Sequence, residues 1–115
     1  MKKIVAALLL TPCIALAQYE TGNTLLSKLK NNDPSVGVVD RMFAAGYIMG
    51  VADSFYNVTF CPPGATTVGQ LNDVIKNFLE ANPEVRHRPA DLIVEVVLRN
   101  TFPCKTEKKN KGKAV

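Results

Sequence analysis

The chain has 115 residues, almost half of them apolar, and a formal charge of +4. That length accommodates one modest hydrophobic core and leaves no room for a second domain. The charge is unevenly placed: residues 18–104 carry seven Lys and Arg against nine Asp and Glu, and residues 105–113 carry five lysines and one glutamate. The body therefore offers no interleaved basic and aromatic surface for nucleic acid.

The first 18 residues read MKKIVAALLLTPCIALAQ. Two lysines, an apolar run from Ile4 to Ala17 and the small-x-small triplet Ala15-Leu16-Ala17 predict a secretory signal peptide over residues 1–17. The run falls short of the roughly 20 residues that a spanning helix needs, so no membrane span is expected. Pro12 is a poor residue to precede a lipid-modified cysteine, which leaves little support for anchoring through Cys13. Export to an oxidising compartment favours disulfides, and removal of the leader removes Cys13. Cys61 and Cys104 remain, 43 positions apart, and one pair has one connectivity. A bridge closing such a loop stabilises a small domain by about 4 kcal/mol on chain entropy. A nucleophilic Cys104 served by His87 would need a free thiol, which that compartment disfavours.

Turn signals divide the remainder into four helices, an all-α domain over residues 18–104 followed by a basic tail, residues 105–115, expected to be disordered. The first helix is predicted from about Thr24 to Lys30, capped by Asn23, with Leu25, Leu26 and Leu29 on its apolar side. Asp33-Pro34 is a start signal for a second helix ending near Asn57. This helix is apolar on most sides, which predicts a central position, while Asp40, Arg41 and Asp53 argue against a membrane span. Pro62, Pro63 and Gly64 prevent its continuation, and Thr67 with Gln70 forms a capping-box pattern for the third helix. Val68, Leu71, Val74, Ile75, Phe78 and Leu79 recur there at helical spacing until Asn82-Pro83. The fourth helix begins near Pro89, with Leu92, Ile93, Val96, Val97 and Phe102 facing inward, and Pro103 closes it beside Cys104. Both cysteines fall at element ends, where a bridge would act as a staple.

Chemistry is sparse. The single histidine, His87, together with two bridged cysteines makes no zinc site, and no glycine-rich loop follows a strand, so neither a metal nor another cofactor is expected and enzyme activity is not. Two surfaces remain. The connector NPEVRHRP presents Glu84, Arg86, His87 and Arg88 between two prolines, and arginines there suit bidentate contacts with a carboxylate. Gly46, Gly50 and Asp53 share one face of the second helix, where two glycines imply close approach of another backbone, either within the fold or from a subunit or partner.

The run GYIMGVADS, then Cys61-x-Pro63, Thr67 to Leu71 with Gly69-Gln70, Asn82-Pro83-Glu84, Arg86-His87 with Pro89-Ala90, and Phe102-Pro103-Cys104 resemble the type VI secretion amidase immunity proteins, the Tai/Rap group. The likeness covers about residues 40–104. It implies a periplasmic, all-helical protein, often a homodimer, that binds a peptidoglycan amidase effector and blocks its active-site groove. It carries over the Cys61–Cys104 bridge and the loop around Arg86 and His87 as an effector contact. A second reading is a periplasmic acid-stress chaperone, also small, helical and singly bridged, without a dedicated toxin partner.

Overall fold

The computed structural model describes residues 19–105. The expected leader (1–17) and nearly all of the expected basic tail, from residue 106 onward, lie outside them. The described chain forms four helices, α1 (Gly22–Lys30), α2 (Gly37–Phe55), α3 (Val68–Ala81) and α4 (Ala90–Thr101), with one 3-10 turn at Pro83–Val85 and no strand beyond isolated bridges. Each helix touches the other three. Their shared centre is Leu25, Ile48, Ile75, Leu79, Val94 and Leu98, all fully buried, and no buried polar or charged side chain interrupts the described core.

Local chemistry explains most of the ends. The predicted capping box of α3 is present: Thr67 Oγ1 accepts from Gln70 N at 3.2 Å, and Gln70 Oε1 accepts from Thr67 N at 2.8 Å. The start of α1 is corrected. Thr21, not Asn23, is its cap, in a reciprocal pair with Thr24. Asp33 caps the turn that leads into α2 rather than the helix itself. Its Oδ1 accepts from Ser35 N at 2.8 Å, Ser35 Oγ at 2.6 Å and Val36 N at 3.1 Å. The helix starts after that turn, at Gly37. It also stops earlier than expected, at Phe55, because Asn57 takes a left-handed φ of 58°. The Phe55 carbonyl then accepts from the amides of Val58, Thr59 and Phe60 in a tight reversal ahead of the prolines.

Two expectations about buried faces are also corrected. α2 buries Gly37, Ala44, Ile48 and Ala52 on one side and leaves Val38, Val39, Met42, Phe43 and Met49 exposed on the other, so it covers the core and is not enclosed by it. In α4 the inward residues are Ile93, Val94, Val97 and Leu98, while Leu92 and Val96 face out. The apolar run LIVEVVL fits more than one helical phase, and packing against α2 and α3 selects this one.

Cys61 and Cys104 are joined in a disulfide with their Cα atoms 4.7 Å apart. Around the bridge, Cys61 N donates to Phe102 O at 2.9 Å, Phe60 pairs with Pro103, and the Phe60 and Phe102 rings meet edge to face at 5.9 Å. The staple thus fastens the end of α4 to the segment between α2 and α3.

Candidate functional site

The connector from α3 to α4 is built largely from main-chain bonds. Asn82 ends α3 by donating from both its backbone N and Nδ2 to Phe78 O, at 3.0 and 2.8 Å. Pro83 opens the 3-10 turn, where the lost amide is harmless. The following residues are fixed from outside. Asn23 N donates to Arg86 O at 2.8 Å, Gly22 N to Arg88 O at 3.0 Å and Ala90 N to Glu20 O at 2.8 Å. Thr21 and Pro89 pair as an isolated antiparallel bridge. Gly22 is buried in this junction, and a Cβ there would stand 2.8 Å from Arg86 O and from Ile93 Cδ1.

His87 and Arg88 of the connector line different pockets. Glu84, His87 and Arg88 are exposed, and Arg86 is half-buried with its Nε enclosed and unpartnered among the described residues. None of the four forms an ion pair among the described residues. His87 borders a cleft of about 530 Å³ with Tyr19, Glu20, Thr21, Thr24, Lys28 and Pro89. Arg88 stands at a small pocket of about 120 Å³ walled by Phe78, Val85, Ile93, Val96 and Val97.

Sequence reasoning missed the partners of this loop. Glu20 accepts two bonds from Lys28 Nζ, at 2.8 and 3.0 Å, and the same Nζ lies 4.9 Å from the Phe43 ring centre, which stacks on Tyr47 at 6.4 Å. Tyr47 lines a neighbouring cleft with Tyr19, Asp91 and Leu92. Its hydroxyl is held above the ordinary tyrosine range, first by burial and then by the negative charges of Asp91 and Glu20. The i, i+4 spacing of Phe43 and Tyr47 is the one local signal for this cluster, because residues 19–23 join the loop across a long stretch of chain.

Gly46, Gly50 and Asp53 line neither cleft. All three are exposed on the outer side of α2, and a Cβ built on either glycine meets nothing within 4 Å. Close packing within one chain, one of the two expectations for these glycines, is therefore corrected. What surrounds them is apolar and bare: Val39 is 65 % exposed, Met42 69 % and Phe43 51 %.

Among the described residues, no three His, Cys, Asp or Glu side chains gather where they could hold a metal ion, and no helix is long and apolar enough to cross a membrane. Cys104 Sγ is bonded to Cys61, so the thiol needed for nucleophilic work with His87 is not present. A family model of the Rap1a immunity proteins matches residues 21–104, a span containing all four helices, the connector and both cysteines. No curated protein matches the chain.

Proposed function

The chain belongs to the Rap1a immunity proteins, and from that premise we propose that it is an exported, periplasmic inhibitor that binds a type VI secretion peptidoglycan amidase and covers its active-site groove. The observation that carries this reading is the α3–α4 connector. Its backbone is pinned to residues 20–23, while Glu84, His87 and Arg88 stay exposed and free of ion pairs among the described residues. A charged loop that is already ordered loses little entropy on docking, which suits tight inhibition.

The inhibitor works as a homodimer through the outer face of α2. Val38, Val39, Met42, Phe43 and Met49 leave an apolar patch larger than scattered surface residues would. A specific association buries about 1,000 Å² or more in total, and two such faces set against each other are what would supply it. Gly46 and Gly50 let the two helices approach closely, and Asp53 lies at the edge of that contact.

The test is enzymatic. The exported protein, mixed with the amidase encoded beside it, abolishes peptidoglycan cleavage and forms a complex, whereas unaffected cleavage without a complex removes the reading. Replacing Arg86 and His87 by alanine weakens the complex while the helical circular dichroism is kept.

A further inference from the structure

The pocket beside Arg88 has a composition unlike the rest of the connector. Its walls are carbon: Phe78 from α3, Val85 from the 3-10 turn, and Ile93, Val96 and Val97 from α4. Ile93 and Val97 belong to the core, each 6 % exposed, so the floor is fixed by packing. Val96 is 41 % exposed and forms an open side. At about 120 Å³ the space suits a single apolar side chain. Apolar pockets of this kind, filled by one residue of a partner, are where binding energy concentrates.

Arg88 gives the pocket its selectivity. Its backbone is held at both ends, with its N–H donating to Val85 O at 3.0 Å and its carbonyl accepting from Gly22 N at 3.0 Å. Its guanidinium makes no ion pair and no side-chain hydrogen bond among the described residues. A planar guanidinium next to a water-poor apolar surface forms a strong bidentate contact with a carboxylate.

We infer that this pocket is an anchor site for an apolar side chain adjacent to a carboxylate, an aliphatic or aromatic residue next to Asp or Glu on the surface of the effector. The identity of the partner rests on the function proposed above; the ligand chemistry rests on the pocket alone. Charge complementarity selects an acidic neighbour over a basic one, since Arg88 is the only charged residue lining the pocket among the described residues.

Two measurements separate these levels. In the first, the isotope-labelled exported protein is titrated with N-acetyl-leucine and with N-acetyl-leucinamide, and amide shifts are followed by NMR. Saturable shifts confined to Phe78, Val85, Arg88, Ile93, Val96 and Val97 are expected with the acid, at about tenfold weaker affinity for the amide. Arg88→Gln equalises the two ligands and Arg88→Lys falls between. No shift at these residues, or equal shifts with both compounds, overturns the inference. In the second, complex formation with the neighbouring amidase is measured by calorimetry. Arg88→Gln is expected to weaken it by about tenfold or more, whereas Arg99→Gln, in the last turn of α4, leaves it unchanged. Full affinity of Arg88→Gln sinks the anchor while leaving the inhibitor reading intact. Binding of N-acetyl-leucine without any amidase complex does the reverse.

Discussion

Gly22 lies against Arg86 so closely that a Cβ added to it would sit 2.8 Å from the Arg86 carbonyl oxygen and 2.9 Å from its Cα. Both contacts involve backbone, which cannot swing aside as a long side chain can. Gly22→Ala is therefore expected to cost about 1–3 kcal/mol, the range for overpacking a tight site. Urea unfolding measures the loss, and amide shifts at residues 86–90 report whether the connector has moved. An unchanged midpoint with unchanged shifts would contradict the tight junction.

The Cys61–Cys104 bridge spans 43 residues. Replacing both cysteines by serine should destabilise the domain by about 4 kcal/mol if chain entropy dominates. The same loss is expected from reduction of the native protein, read as a lower thermal midpoint with and without a thiol reagent. Equal midpoints would show that the end of α4 holds without its staple.

The phase of α4 separates two sets of residues that look alike in sequence. Leu98, 1 % exposed, should cost about 2–5 kcal/mol as Leu98→Ala. Leu92, 53 % exposed, should cost under about 0.5 kcal/mol as Leu92→Ala. Equal losses in chemical denaturation would argue for a rotated helix.

The Asp33 carboxyl is held below its ordinary range, first by the Ser35 hydroxyl and then by the amides of Val36 and Ser35. A carboxyl with a lowered folded-state pKa contributes stability that is complete above its unfolded value and is lost as pH falls through the folded one. The turn before α2 should thus stay intact through neutral and mildly acid conditions and loosen only below about pH 4. Amide shifts of Ser35 and Val36 followed against pH give the inflection. An inflection at or above the usual aspartate value would refute the capping role, and Asp33→Asn should abolish it.

The outer face of α2 predicts self-association. Met42→Glu places a charge where Met42 is 69 % exposed, so it should leave the monomer fold intact and shift sedimentation from dimer to monomer. A native protein that sediments as a monomer at high concentration would remove the homodimer.

Local signals were readable and distant ones were not. Thr67 and Gln70 announced α3 because a capping box involves four consecutive residues, and the cysteine pair left a single connectivity. Asn57 hid the end of α2, since asparagine tolerates both helix and left-handed turn and the prolines beyond it looked like the stop. Asn23 is expected as the cap of α1 because asparagine is a good capping residue, but Thr21 takes that place through its reciprocal pairing with Thr24. His87 was legible as an exposed residue of a proline-bracketed turn, whereas the half-burial of Arg86 was not. The clamp from Glu20, Gly22 and Asn23 was not, because nothing in either segment encodes the other.

The connector is tied to the start of the domain by backbone carbonyls and amides. No bond that ties residues 86, 88 and 90 to the start of the domain involves a side chain. Charge can therefore be reversed at positions 84, 87 or 88 with the scaffold unaltered. A lineage facing a changed toxin can rewrite the message on this loop one letter at a time, while the frame that displays it stays put.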